Sequence, residues 1–327
     1  MLEDIKKVAE LPYNWDKLND KVLLMSGGTG FIGSFICNVI EYRNKYFNQK
    51  SKIISLSRRG GTDNETVSFL KQDVRKPFSI SEKVDYVIHL ASNTHPQEYA
   101  DDPIGTITTN IYGCDNLMRL AVEKKAKFLL ASSVEIYGQG TEKPMVELYS
   151  GYIDCNQTRA GYNESKRVSE ALLQSYRTQY GLEAMIARVS RTFGPDKKKD
   201  TKALAQFMDK AVSGENIVLK SKGNQRFSYA YVADAASAII FILLEGIDGE
   251  AYNIADDDDG LKLADYAEFM AELAGTKVVY DIENNPSASK TTYALMDCTK
   301  LKQLGWKPIY AVKEGLEKTY RILKAEW

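Results

Sequence analysis

The stretch Lys21-Val22-Leu23-Leu24-Met25-Ser26-Gly27-Gly28-Thr29-Gly30-Phe31-Ile32-Gly33 decides the fold. An apolar run of strand length ends in glycines, and a helix pattern opens at Phe31 and runs to about Tyr46. Glycines 27, 30 and 33 fall in a G-x-x-G-x-x-G spacing. The first permits a tight turn, the second lets the backbone approach a pyrophosphate, and the third lets the helix lie close to the sheet. The N–H groups of Phe31, Ile32 and Gly33 then face phosphate at the positive end of the helix dipole. A strand, turn and helix of this kind predict a dinucleotide site.

Strand and helix patterns alternate beyond it. Strands are expected at Lys52–Ser57, Val67–Leu70, Val84–Leu90, Phe128–Ser132 and Ala184–Val189. Helices are expected at about Pro103–Glu123 and Tyr162–Tyr180. Val84–Leu90 is nearly all apolar, as a strand buried on both faces must be. The rhythm implies an α/β fold: a Rossmann-type, doubly wound parallel sheet over residues 21–188. After Pro195 the rhythm changes, and residues 189–327 read mainly as a smaller C-terminal α/β substrate domain. Tyr231–Glu245 and Ala251–Ile254 look like a return to the main sheet, so that about 231–255 completes the first domain. Lys197–Asp200 and Asp256–Asp259 read as polar loops, and the last helix as Val312–Lys324. Residues 1–20 form an arm in which Leu2, Ile5, Val8 and Ala9 share one helical face, packing on the body or on a second subunit.

The totals narrow the function. A net charge of −1 argues against a general nucleic-acid binder. Two histidines, His89 and His95, rule out a His-rich metal site, and no metal is expected. Four scattered cysteines and no signal-like start read as a reduced, cytoplasmic protein. The longest apolar run, Ala235–Leu244, is about half of what spans a bilayer.

The end of the second strand bears on the choice of nicotinamide cofactor. An acid there would hydrogen-bond a ribose; this chain has Ser57-Arg58-Arg59, suited to a 2′-phosphate, so NADP is preferred slightly over NAD. Asp73 and Val74 are placed to meet the adenine. Tyr-x-x-x-Lys occurs four times, but only Tyr162/Lys166 lies on a helix downstream of a Ser132-Ser133 strand end. At i, i+4 the two share a face. Lys166 would hydrogen-bond the nicotinamide ribose and bring the Tyr162 phenol toward base strength, while Ser133 holds the same substrate oxygen.

These residues resemble the extended short-chain dehydrogenase/reductase family, and in particular its nucleotide-sugar epimerases, dehydratases and decarboxylases. The resemblance runs from Lys21 to Lys324. It rests on the glycine spacing, His89-Leu90-Ala91-Ser92, Asn110 with Gly113, Ser133, Tyr137-Gly138 and Tyr162-x-x-x-Lys166. It continues through Arg188 with Gly194-Pro195, Tyr231-Val232-x-Asp234 and Leu304-Gly305-Trp306. Ser132–Gly138 and Thr158–Val168 are similar to stretches of UDP-glucuronate decarboxylases. The resemblance implies a nucleotide-diphosphate sugar substrate, a 4-keto intermediate and a homodimer through the Pro103–Glu123 and Tyr162–Tyr180 helices. It also implies that Leu90, Ala91, Ser92 and Asn110 line the cofactor, and that Thr94, His95, Arg191 and Arg226 lie toward the sugar. Arg159 either faces the pocket or merely precedes the helix.

Glu135 sets the expected reaction type. Simple 4-epimerases of the family usually lack an acid two residues past the serine; dehydratases and glucuronate decarboxylases have one. After oxidation at C4, the C5 proton is acidic and a C5 carboxyl is β to the ketone, so a carboxylate here acts at C5. Val134 departs from the aspartic acid of dTDP-glucose dehydratases. Arg191 stands where the family often has asparagine, and Ala294 where it usually has an arginine; Arg191 is a candidate to supply that missing charge. Two other readings remain: a net NADPH-dependent carbonyl reductase, and a non-catalytic NAD(P)-sensing regulator.

Overall fold

A computed structural model describes residues 1–94, 100–196, 201–256, 260–282 and 293–325. Seven parallel strands form the main sheet: β1 (Val22–Ser26), β2 (Lys52–Ser57), β3 (Val67–Lys71), β4 (Tyr86–His89), β5 (Lys127–Ser133), β6 (Ala184–Val189) and β11 (Ala251–Ile254). Their spatial order is β11-β6-β5-β4-β1-β2-β3. The order reverses between β1 and β4, and ligands of open α/β sheets bind in the crevice beyond that switch point.

Alternate residues explain the unbroken apolar runs. Leu24, Val87, Phe128 and Leu130 face a core shared with Cys114, Leu117 and Leu173, from α3 (Pro103–Lys124) and α4 (Ala160–Tyr180). Leu23, Met25, Ile88 and Leu129 face the other core, with Ile36 and Ile40 of α2 (Phe31–Tyr46). The central strands β1, β4 and β5 are covered on both sides, as buried parallel strands require, while the edge strand β3 is largely exposed.

Residues 232–245 are not strand. They form helix α6 (Val232–Glu245), buried from Val232 through Leu244. A helix apolar all round has no period to distinguish it from a buried strand. Only Ala251–Ile254 returns to the sheet, pairing with β6 as its edge. The expected Val84–Leu90 strand is confined to Tyr86–His89.

The remaining pieces are small. Strand β7 (Arg191–Phe193) pairs with β10 (Tyr229–Tyr231), β8 (Ile217–Leu219) with β12 (Val278–Tyr280), and β9 (Arg226–Phe227) with β13 (Tyr293–Ala294), all parallel. Helices α5 (Ala203–Val212), α7 (Leu263–Ala274), α8 (Thr299–Leu304) and α9 (Val312–Ala325) surround them. Trp306, fully buried, donates Nε1–H to Ser237 Oγ of α6 at 3.0 Å, which ties the Leu304-Gly305-Trp306 turn to the core.

The arm packs on the body. Helix α1 (Leu2–Ala9) buries Ile5, Val8 and Ala9, while Leu2 stays exposed. Its fully buried Asp4 accepts from Tyr310 at 2.7 Å and Tyr231 at 3.2 Å and lies 3.1 Å from Lys318 Nζ. Burial pushes that carboxyl up, but the Tyr310 and Lys318 hydrogen bonds outweigh it and leave it lowered.

Candidate active site

The glycine turn is defined by what a side chain would strike. Gly27 has φ +80°, and a Cβ there would lie 2.9 Å from the Ala91 nitrogen. A Cβ on Gly33 would lie 2.2 Å from the Gly27 carbonyl oxygen, so the helix start is pressed onto the turn. Gly28, which falls between the spaced glycines and drew no notice as sequence, would put its Cβ 2.3 Å from Ser55 Oγ of β2. Gly30 caps α2 in extended conformation, with no side-chain cap. The opening of α2 therefore presents backbone alone, as a cradle for phosphate must.

Around this turn the ends of the strands differ in character. Ser57 is half-buried, and Arg58 and Arg59 are exposed. The Asp73 carboxylate is gripped by Arg75, at 3.0 and 3.0 Å from Nε and 2.6 Å from Nη2. That bond holds Asp73 below the usual carboxylate range. Arg75 was not singled out in the sequence, although a cation two residues past an acid in a turn is a readable signal. Val74 is buried against Gly113, where an added Cβ would come within 2.9 Å of it.

A polar relay links the end of β4 to both helices. Ser92 Oγ donates to Asn110 Oδ1 at 2.7 Å, Asn110 Nδ2 donates to Ser165 Oγ at 2.9 Å, and Ser165 Oγ donates to the Tyr162 carbonyl at 2.9 Å. Beneath it, fully buried His89 meets Ser26 Oγ through Nδ1 at 2.7 Å. Burial, and secondly the charge of Lys166, lower His89 to about 3, so the ring is neutral. Leu90 and Ala91 return to Ser26: the Leu90 N–H donates to its carbonyl at 3.1 Å and the Ala91 N–H to its hydroxyl at 3.3 Å.

At the carboxyl end of β5 the remaining expected residues converge. Tyr162 and Lys166 are both buried on α4. Lys166 Nζ donates to the Ala131 carbonyl of β5 at 2.8 Å. Burial lowers its pKa to about 8, against the opposing pull of Cys114 and Glu170. Ser133, the last residue of β5, accepts the Glu135 N–H at 3.3 Å and so caps the tight turn Val134–Tyr137. That turn swings Glu135 back beneath α4. Asn163 Nδ2 donates to the Glu135 carbonyl at 2.8 Å and to its Oε2 at 3.3 Å. The sequence reading assigned Asn163 no role. It sits beside Tyr162, and only the folded turn reveals its partner.

Two guanidinium groups complete the site. Arg159 Nη2 lies 3.5 Å from Glu135 Oε2, and Arg191 Nη2 lies 3.3 Å from Glu135 Oε1. Arg159 therefore faces the pocket. Arg191 also stacks 3.9 Å over the Phe227 ring, and its Nη1 is buried with no hydrogen-bond partner among the described residues. Phe227 registers with Ala294, and Arg226 with Tyr293. Thr94 is exposed at the mouth; His95 lies outside the described residues, as do Lys197–Asp200 and residues 257–259. Arg188 is occupied in the core: Glu170 takes its Nε and Nη2 at 3.1 and 2.6 Å, and Tyr137 its Nη1 at 3.0 Å.

A seven-stranded parallel sheet with a glycine turn at its switch point and a Tyr-x-x-x-Lys helix beside β5 defines an extended short-chain dehydrogenase/reductase. The matches to known proteins narrow this. The chain belongs to the NAD dependent epimerase/dehydratase family, whose model matches residues 23–255, and is an enzyme of that type. UDP-glucuronic acid decarboxylase 5 of Arabidopsis thaliana is 32% identical over 315 residues, covering 92% of this chain and 89% of the relative. In fold the chain is similar to UDP-glucose 4-epimerase of Thermotoga maritima, solved with UDP-glucose: TM-score 0.79, 23% identity, 93% of this chain and 99% of that one. The dTDP-glucose 4,6-dehydratase DesIV of Streptomyces venezuelae, solved with NAD and TYD, gives TM-score 0.76 and 22% identity over 93% and 97% of the two chains.

Proposed function

We propose that this enzyme modifies a nucleotide-diphosphate sugar through a transient 4-keto intermediate, with its distinctive step at C5. The observation that carries the reading is the convergence at the end of β5 of Ser133, Glu135, Tyr162 and Lys166, beside a turn shaped for a dinucleotide. A nicotinamide bound at this turn would supply reversible hydride transfer at the sugar carbon. Tyr162 takes the C4 hydroxyl proton, Ser133 orients that oxygen, and Lys166 holds the ribose and favours the ionised phenol. Gly27, Gly30, Phe31, Ile32 and Gly33 receive the pyrophosphate, with Leu90, Ala91, Ser92 and Asn110 along its nicotinamide side and Asp73 and Val74 at the adenine. Glu135 acts on the C5 side, where a proton or a carboxyl group becomes labile once C4 is a ketone. We favour loss of a C5 carboxyl over plain epimerisation, because Glu135 is held inside the pocket by three side chains instead of projecting into solvent.

Exposed Arg58 and Arg59 support NADP as the preferred cofactor. The nucleotide is read as held by residues 21–188, and the sugar side mainly by 189–327. Ile104, Tyr112 and Val168, exposed on α3 and α4, support a homodimer through those helices. Four unpaired thiols fit a reducing cytoplasm.

The test is single-turnover reduction of the bound cofactor by UDP-, dTDP-, GDP- and CDP-sugars, followed at the reduced-nicotinamide band. Transient reduction with one class and regeneration of the oxidised form is the expected result. No reduction by any sugar would remove this reading, and stoichiometric consumption of NADPH would replace it with a net reductase. Paired dissociation constants for NAD and NADP decide the cofactor preference.

A further inference from the structure

Glu135 bridges two cations with one oxygen each: Oε1 to Arg191 at 3.3 Å and Oε2 to Arg159 at 3.5 Å. Both contacts are long for charge-assisted hydrogen bonds, which run near 2.7–2.9 Å. Two guanidinium groups and one carboxylate leave this cluster with one net positive charge, beside the separate cation of Lys166. Arg191 Nη1 is buried and has no hydrogen-bond partner among the described residues, an arrangement that is costly unless a ligand supplies an acceptor. Its guanidinium is held in place by the Phe227 ring, 3.9 Å away, whose register partner is the short, uncharged Ala294.

We propose that Arg191 and Arg159 receive a carboxylate carried by the substrate's sugar, and that Glu135 occupies them in its place until the substrate arrives. The proposal rests on the nucleotide-sugar reading above and adds the device that selects an acidic sugar. The spacing of the two arginines is already that of a bridged carboxylate, because a carboxylate bridges them. An arriving acid takes the same two donors and the spare Arg191 Nη1, and Glu135 is released toward C5, still held through its backbone carbonyl by Asn163 at 2.8 Å. A neutral sugar offers no group to make that exchange, so Glu135 stays paired. Recognition of the acid and freeing of Glu135 become one event.

Calorimetric titration of the cofactor-loaded enzyme with UDP-glucuronate, UDP-glucose and UDP tests this. The wild type should bind UDP-glucuronate more tightly than UDP-glucose by about tenfold or more. Arg191→Gln should collapse that ratio and Arg191→Lys should restore part of it. Arg159→Gln, on a half-exposed side chain, should narrow the ratio less and supplies the test should Arg191→Gln fold poorly. Glu135→Gln should bind UDP-glucuronate more tightly than the wild type, since the competing internal carboxylate is gone, while turnover is lost. A wild-type ratio near one, an unchanged ratio in Arg191→Gln, or weaker UDP-glucuronate binding in Glu135→Gln would overturn the proposal. An equal loss of UDP affinity in Arg191→Gln would move that residue to the diphosphate and overturn it as well. A wild type that binds no UDP ligand counts against the nucleotide-sugar reading itself, a different result from a wild type that binds UDP-sugars without discrimination.

Discussion

The two ends of the site are built from different materials. The glycine turn is backbone, drawn from seven consecutive residues, Gly27–Gly33, with the ends of β2 and β4 pressed against it. The sugar end is side chain, drawn from β5, α4, β7 and β9, whose members are as far apart in sequence as Glu135 and Phe227. A backbone site tolerates no added atom, whereas a side-chain site tolerates change in shape but not in charge. On the proposed function, the first would fix where a cofactor lies and the second what is done to its partner.

The sharpest break is chemical. Tyr162→Phe removes one oxygen from a buried ring and keeps its packing. Single-turnover cofactor reduction should fall by about 10²–10⁴, the usual size of a lost general base. If the rate falls less than about tenfold, the proton is leaving by another route.

Gly33→Ala attacks the other end. Its Cβ would meet the Gly27 carbonyl at 2.2 Å, and neither partner is a flexible side chain. We expect a loss of about 2–3 kcal/mol in denaturant melts together with a large loss of cofactor affinity. Gly60→Ala is the control: φ is +76° but nothing lies within 4 Å, so only the backbone term of about 1–2 kcal/mol remains. Equal effects at the two positions would mean that close approach is not what the turn requires.

Between the two ends, His89 supplies a pH signature. Its folded pKa, about 3, lies below the ordinary 6.5. The unfolded chain therefore takes up a proton that the folded one refuses. Stability from this group is complete above pH 6.5 and is lost as pH falls toward 3, by at most about 1.4 kcal/mol per unit. Between pH 6.5 and 5 ordinary carboxylates change little, while buried Asp234, raised to about 7, adds a slope of the opposite sign. Removing the histidine's share, His89→Asn should make the slope of melting temperature against pH less positive. An unchanged slope would mean that His89 takes up its proton in the folded protein as readily as in the unfolded chain.

The contrast also explains what the sequence alone revealed. The parallel sheet, its strand ends and the Gly27–Gly33 turn were legible because the pattern is local: an apolar run, glycines, then a helix period. Tyr162/Lys166 was legible once its place after β5 separated it from three chance copies. Residues 232–245 were misread because a helix buried on every side loses its period. Asn163 was missed for another reason: its partner Glu135, 28 residues away, meets it only after a turn folds back, and no spacing announces that. Arg75, two residues past Asp73, was legible in the spacing. Arg191 was noticed as a departure, yet its place between Glu135 and Phe227 depends on β7 and β9, strands too short to carry a pattern.

Lys166 joins the two ends and should show the smallest effect on stability. Burial lowers it from 10.5 to about 8, so the folded protein resists its charge. Below about pH 8 both states are protonated and the full cost of the buried cation is present. As pH rises from 8 to 10.5 the folded state sheds its proton before the unfolded one, and that cost is relieved. Lys166→Met removes the cation but leaves the Ala131 carbonyl without its donor. The two effects partly cancel, and the variant should be more stable than the wild type by about 1–2 kcal/mol at pH 7, with the gain shrinking toward pH 10. Cofactor reduction should be lost in the same variant. A variant that is both inactive and less stable at pH 7 would make Lys166 a structural tie between α4 and β5. One that is inactive and more stable shows a charge kept in the core for the reaction, at the point where the backbone site and the side-chain site meet.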